Sequence, residues 1–211
     1  FTHTNKGHWN LCHIPLLPVT GTPTPGDYCS PFSHERESAA PGYYQVFLDR
    51  YGVDAQLSST LRCAFHKYTY PAGAAPAVLA DLQRSNEHVR AWDIRKEGDN
   101  VFAGWQQTGE KMYFYAVANR PVTGIEPVVE GDREVRIVRF GEGDGALELR
   151  IGFSFVSEKN ARENLEAEML GKSFAEVRSE ATATWNDLLG RIRVEGGTER
   201  EKGLFYSSLY R

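Results

Sequence analysis

The stretch Pro41–Pro71, PGYYQVFLDRYGVDAQLSSTLRCAFHKYTYP, decides how the rest of the chain is read. Its spacing predicts one long β-hairpin. In the second arm Val53, Ala55, Leu57, Leu61, Cys63 and Phe65 fall on one face. Asp54, Gln56, Ser58, Thr60, Arg62 and His66 fall on the other, and Ser59 is the one polar residue on the apolar side. A period of two marks a half-buried strand. In the first arm Tyr44, Val46 and Leu48 alternate with Gln45, Phe47 and Asp49. Arg50-Tyr51-Gly52 makes the reversal, where Gly52 can take a positive φ. Pro41 and Pro71 bound the unit, because proline cannot donate to a ladder. So long an apolar face needs a large partner, and a second sheet is expected opposite it.

Outward from the hairpin, the chain divides by pattern. Residues 1–40 read as mostly irregular, with prolines at 15 and 18 and then the Gly-, Pro- and Ser-rich segment GTPTPGDYCSPFSHERESAAPG. Such segments form long surface loops that often build binding sites. Beyond Pro71, Ala77–Leu82 is a short buried strand. Residues 86–119 give three strands, with turns at 97–100 and 108–110. Pro121–Asp132 reads as a loop and Val135–Phe140 as a strand. Leu147, Leu149, Ile151, Phe153 and Phe155 alternate with polar or small residues in another strand. At Ser157 the period changes to that of a helix, with Ser157 as N-cap. Ser173 and Glu176 form a capping box for a second helix, whose stripe is Phe174, Val177, Ala181, Trp185 and Leu188 and whose stop is Gly190. Thr198 and Glu201 cap a third. The expected organisation is a mainly β sandwich over 1–156, a helical linker over 157–194, and the start of a further helical domain over 195–211.

Composition excludes some classes. With 24 Lys and Arg against 28 Asp and Glu, the net charge is −4, which gives no general attraction to nucleic acid or anionic lipid. No apolar run approaches the roughly 20 residues that span a bilayer. Residue 1 is Phe, the first residues resemble the middle of a strand, and GLFYSSLYR resembles an unfinished helix, so the chain is expected to be part of a longer one. Three cysteines, Cys12, Cys29 and Cys63, make no disulfide framework. Cys63 is expected buried. Cys12 and Cys29 are read as unpaired, although the loop between them would let them meet.

The residues that point to chemistry cluster at the start. His3, Asn5, His8, Trp9 and Asn10 bring imidazole, amide and indole groups into one short stretch. A sugar site needs these parts: apolar sugar faces stack on an indole, and hydroxyls want fixed donors and acceptors. The alternative is a polar strand end with Trp9 anchored in the core. A zinc reading of His3, His8 and His13 is poorer, because steps of five alternate faces along a strand. In His34-Glu35-Arg36-Glu37 the two carboxylates are an acid–base candidate, but an ion-paired loop is the better reading. Trp92 and Trp105 read as core. Glu142 and Asp144 fall short of an EF-hand loop. Phosphate-cradling, nucleophile-elbow and CxxC motifs are absent from the sequence.

Several stretches together resemble the N-terminal half of glycoside hydrolase family 92, the calcium-dependent exo-α-mannosidases. They are FTHTN, HERESAAPGYYQVFLDRYGVDAQLSSTLRCAFHKYTYP, IGFSFVSEKNARENLEAEM, ATWNDLLGRIRV and FYSSLYR. The resemblance implies a β-supersandwich followed by a helical linker and the first helix of an (α/α)6 barrel. It implies inverting hydrolysis, with a glutamic acid, an aspartate and Ca2+ carried by the barrel beyond Arg211, so no catalytic or metal residue is expected in this chain. The sandwich lends loops to the active-site mouth in that family, which favours sugar contacts at His3, Asn5, His8, Trp9 and Asn10. The implied partners are a mannose-containing glycan and the C-terminal barrel, with no nucleic acid and no membrane span. The implied location is secreted or periplasmic. The rival expectation is a freestanding carbohydrate-binding or structural sandwich with no hydrolase attached.

Overall fold

The protein, seen in a computed structural model, is described over residues 13–210. Within that span β1 is Leu16–Val19, β2 Glu37–Ala40, β3 Tyr43–Leu48, β4 Val53–Ser59, β5 Cys63–Thr69 and β6 Ala77–Ala80. Next come β7 Ala91–Gly98, β8 Val101–Gln107, β9 Lys111–Ala118, β10 Val122–Glu130, β11 Arg133–Phe140 and β12 Leu147–Ser154. The helices α1 Glu158–Met169, α2 Phe174–Leu189 and α3 Glu199–Tyr210 follow. Two antiparallel sheets face each other. The smaller has the order β1-β6-β11-β10 and the larger β2-β3-β4-β5-β12-β9-β8-β7. Val53, Ala55, Tyr68, Phe102, Phe114, Leu149 and Ile151 of the larger sheet share one core with Val78, Leu79, Ile137 and Val138 of the smaller. The expected second sheet is therefore present, and the class is mainly β with three helices behind.

The opening stretch corrects the hairpin reading. It is a three-stranded meander, β3-β4-β5, because Thr60-Leu61-Arg62 makes a second reversal closed by Thr60 N–H donating to Cys63 O at 2.9 Å. Leu61, expected on the apolar face, stands at that tip and is 88% exposed. The pairing Ser59↔Ala64 sets odd positions of β4 beside even positions of β5. The side chains thus change face across the turn, which a period counted straight through it cannot register. Val53 and Ala55 face the second sheet. Cys63 and Phe65 face the other way, with Tyr43, and pack on Leu165 and Met169 of α1 and Phe174 and Val177 of α2. Helices thus cover the back of the large sheet, and the molecule has three layers there. The first reversal is as expected: Gly52 has φ +64.

Three segments read as loops are strands, one of them Glu37–Ala40, which pairs with Tyr43–Leu48 at an edge of the larger sheet. Leu16–Val19 pairs with Ala77–Ala80 although Pro18 lies inside it. Val122–Glu130 pairs with Arg133–Phe140 in spite of Gly124 and Pro127. Both β1 and β10 are edges of the small sheet, where a strand needs hydrogen bonds on one side only and proline is tolerated. The helix caps stand where the sequence puts them. Ser157 Oγ accepts from Asn160 N, and Ser173 and Glu176 exchange both bonds of the capping box. On α2 the predicted stripe buries only its start, Phe174 and Val177, while Leu188 is exposed. On α3 Leu204 and Leu209 are exposed.

Candidate functional site

The described chain begins at one end of the sandwich, between the β8–β9 turn and the end of β12. His13 Nε2 lies 3.2 Å from Thr108 Oγ1, and its ring meets Phe155 edge-on at 6.3 Å between centroids. Burial lowers the His13 pKa, against a smaller upward pull from Glu87. Neutral imidazole is the form this environment favours. Next to it Gln106, which is fully buried, fixes the entering backbone. Its Oε1 accepts from Ile14 N at 2.9 Å, and its Nε2 donates to Leu82 O at 2.9 Å and Arg84 O at 3.0 Å. A buried amide with that many partners serves as a rigid clamp. Ile14 takes φ +54 there, a left-handed conformation rare for a β-branched residue.

One turn of chain away stands a buried carboxylate. Asp81, directly after the fully buried β6, is 1% exposed. Its Oδ2 accepts from Tyr28 Oη at 2.7 Å and from Arg133 Nη2 at 2.8 Å. Arg84 Nη1 donates to the same Tyr28 oxygen at 3.0 Å. Burial and the bond to Asp81 push the Tyr28 phenol pKa up. Tyr51 Oη in turn donates to Tyr28 O at 2.7 Å. The long loop that carries Tyr28 is thereby pinned across the small sheet, and the network is a staple rather than reaction machinery. Asp81 and Gln106 were not singled out from sequence. The available signal for Asp81 was a carboxylate placed straight after four apolar residues, where a paired buried charge is the usual outcome.

The proposed sugar-site residues His3, Asn5, His8, Trp9 and Asn10, and with them Cys12, lie outside the described residues. Of that opening only His13 is placed, at the sandwich end just described. Cys29 is an exposed thiol, and Cys63 a buried one whose pKa is pushed up to about 12, chiefly by burial. The His34–Glu37 segment, expected as an ion-paired loop, is an ion-paired 3-10 turn over His34–Arg36 that leads into β2 at Glu37. His34 Nδ1 and Glu37 Oε2 stand 2.5 Å apart, and Arg36 pairs with Asp49 and lies over the Phe47 ring. The hydrogen bond from Tyr44, and then that from His34, holds the Glu37 carboxyl below its ordinary range. A general acid in glycoside hydrolysis needs the reverse shift. His66, read as facing away from the core, points into the sandwich, and Tyr68 Oη lies 2.7 Å from its Nδ1. Trp92 packs on the core under Arg136, while Trp105 lies beneath Lys111. Among the described residues no three His, Cys, Asp or Glu side chains converge as metal ligands.

The comparisons with known proteins agree with one another. A relative from Arthroderma benhamiae described as an uncharacterized secreted glycosidase is 24% identical over 82% of this chain and 28% of its own length. An alpha-mannosidase of family GH92 from Bacteroides thetaiotaomicron superposes with a TM-score of 0.85 at 24% identity, over 95% of this chain and 32% of that one. A family GH92 inverting mannosidase from the same organism, strain VPI-5482, gives 0.81 at 24% identity, over 93% and 29%. The chain therefore spans about a third of the length of the relatives it matches. The family model described as the glycosyl hydrolase family 92 catalytic domain matches residues 160–211. Since the model of the glycosyl hydrolase family 92 N-terminal domain matches residues 1–166, the chain belongs to that family.

Proposed function

We propose that this chain is the non-catalytic N-terminal sandwich and linker of an exo-acting α-mannosidase that removes α-linked mannose from glycans with inversion. The observation that carries the reading is the order of the two family matches, N-terminal domain and then catalytic domain, along one chain. The exposed apolar residues of α3, Leu204 and Leu209, support it, since they lie within the second match. In this reading the sandwich ends near residue 156, the linker runs to 194, and residues 195–211 open the barrel. The barrel supplies the acid, the base and the Ca2+ ligands. The sandwich supplies a rigid back wall and presents His3, Asn5, His8, Trp9 and Asn10 to the sugar. The clamp of Gln106 on Ile14 would hold that presentation in register. Export from the cell fits the relative described as secreted. No described helix is long and apolar enough to cross a membrane.

The test has two arms. The 211-residue chain alone is expected to leave an aryl α-mannoside intact, and turnover by it would overturn the reading. In the polypeptide that joins this chain to the catalytic domain, Trp9→Ala is expected to lower kcat/KM by roughly tenfold, as loss of a stacking contact would. An unchanged value removes Trp9 from the sugar site but leaves the domain assignment standing.

A further inference from the structure

The most exposed large apolar side chains among the described residues gather beside α1. Leu61 is 88% exposed, Val156 77% and Leu170 71%. A single exposed leucine is ordinary, but these lie along one border of the large sheet. On its outward face the half-buried Trp105 pairs in register with Tyr113, and Tyr113 with Ser154. Next to Ser154, Phe153 N donates to Arg62 O at 3.0 Å, which brings the β4–β5 turn and Leu61 alongside. From Trp105 to that turn is roughly 14 Å at the spacing of strands. Val156 stands just before the N-cap of α1, and Leu170 is the C-cap. Thr60 Oγ1 and Arg62 N, on either side of Leu61, both donate to Glu168 in the last turn of α1, which sets Leu61 near Leu170.

The strip offers little to a sugar. Lys111 Nζ lies 3.4 Å from the centre of the Trp105 ring and 5.2 Å from that of Tyr113, so the indole face is already taken. The Glu168 carboxylate is engaged by Thr60 and Arg62, and Ser154 Oγ accepts from Val156 N at 3.0 Å. An apolar surface whose polar border is satisfied suits a protein partner, which covers it with little polar desolvation.

The neighbouring contacts say which protein. Beyond residue 166, where the N-terminal match ends, the chain matches the catalytic-domain model alone, and Leu170 lies in that part. The same part already sits on this face of the sheet. Met169, Phe174 and Val177 pack on Tyr43, Cys63 and Phe65, and Glu168 pairs with Arg62 at 2.6 Å. The strip adjoins that contact, since Leu61 belongs to the turn that Glu168 holds and Leu170 to the link between α1 and α2. We propose that the remainder of the catalytic domain docks on this strip and buries Leu61, Val156 and Leu170 with the edges of Trp105 and Tyr113. The inference rests on the reading that a catalytic domain completes the polypeptide, and adds where that domain seats.

The test is hydroxyl-radical footprinting of the polypeptide that joins this chain to the catalytic domain, with each rate taken relative to the same residue in a peptide digest. Val129, exposed on β10 of the other sheet, is the internal reference. Leu61, Val156 and Leu170 are expected to oxidise roughly fivefold or more slowly than that reference, as residues in the dry centre of an interface do. Leu61→Gln/Leu170→Gln should lower the Tm of the joined polypeptide by about 3 °C or more and leave that of the 211-residue chain within about 1 °C. Oxidation of the three residues as fast as Val129 in the joined polypeptide overturns the proposal. So does an equal Tm loss in both proteins, which would place the leucines in the packing of this chain itself. Protection in the 211-residue chain that rises with its concentration would make the occupant a second copy, and protection that appears only with added mannose oligosaccharide would make it a glycan; either overturns the proposal. Cleavage of an aryl α-mannoside by the joined polypeptide is read separately, so failure of the mannosidase reading and failure of the docking site are different results.

Discussion

Gly152 on β12 lies under Ala161 of α1 so closely that a methyl group on it would stand 2.1 Å from the Ala161 carbonyl oxygen. The same methyl would be 2.9 Å from Leu165 Cβ. The obstacle is backbone and a Cβ, so no rotamer change relieves it. Glycine here is the condition for α1 to seat on the sheet and bury Ala161, Leu165 and Met169. Gly152→Ala is expected to cost about 1–3 kcal/mol, as overpacking usually does. For a chain of this size that lowers Tm by roughly 3–10 °C. Calorimetry reads the shift, and a Tm within a degree of the parent would show that α1 does not sit at this distance.

The Asp81 staple predicts an order of severity. In Asp81→Asn the amide oxygen still accepts from Tyr28, and Arg133, whose side chain is 46% exposed, regains water. A cost of about 1–2 kcal/mol is expected. Asp81→Ala leaves the Tyr28 hydroxyl and one face of Arg133 without an acceptor and opens a gap, so about 2–4 kcal/mol is expected. Urea midpoints at constant m-value separate the two. Equal losses from both variants would mean that packing volume, and not polar pairing, is what Asp81 supplies.

Local chemistry was legible in the sequence wherever a single residue settles it. Ser157, Ser173 with Glu176, Thr198 with Glu201, Gly52 and Gly190 all stand in the roles their types predict. The strict alternation of Leu147, Leu149 and Ile151 gave β12. What stayed hidden depended on partners distant in sequence. Leu61 looked buried until Thr60 and Cys63 closed a turn around it. Phe65 looked like sandwich core because the helices that cover its face lie a hundred residues on, at Leu165 and Phe174. Gly124 and Pro127 concealed β10 because edge position, which excuses them, is a property of the sheet and not of the segment. The site at the start of the chain was legible only as residue types, and of that opening the described structure adds only His13 and the clamp on Ile14.

The capping box of α2 makes its first turn pH-sensitive. Glu176 Oε2 accepts from Ser173 Oγ at 2.7 Å and from Ser173 N at 2.8 Å, and these bonds hold its pKa below the ordinary 4.5. A carboxyl whose folded pKa is depressed adds its stability above the unfolded value and loses it as pH falls through the folded one. Protection of the first amides of α2 is therefore expected to be complete above 4.5 and to weaken on further acidification. Glu176→Gln should remove that acid dependence. Ser173→Ala should cost about 1 kcal/mol near neutral pH. Hydrogen exchange, corrected for intrinsic rates, reads both, and identical acid profiles for parent and Glu176→Gln would dissociate the cap from the effect.

The pairing of His66 with Tyr68 gives the last prediction. Tyr68 is 1% exposed and its pKa is raised well above 10.0, so the phenol keeps its proton and, with His66 in the tautomer that leaves Nδ1 bare, donates to it across 2.7 Å. Protonating His66 would replace that acceptor with a second donor and place a charge in the sandwich. Burial accordingly drives the His66 pKa down from 6.5 to about 3. The unfolded chain then takes up a proton near pH 6.5 that the folded chain refuses, so the stability is full above 6.5 and declines as pH falls toward the folded value. Between roughly pH 5 and 6.5 most carboxylates remain ionised, which isolates the histidines. His13 contributes in the same window and with the same sign, because burial lowers its pKa as well. His66→Gln is expected to flatten the dependence of the urea midpoint on pH across that window in part, and His13→Gln added to it to flatten the remainder. If His66→Gln leaves the slope intact, the imidazole is protonated in the folded protein and the bond from Tyr68 is not made.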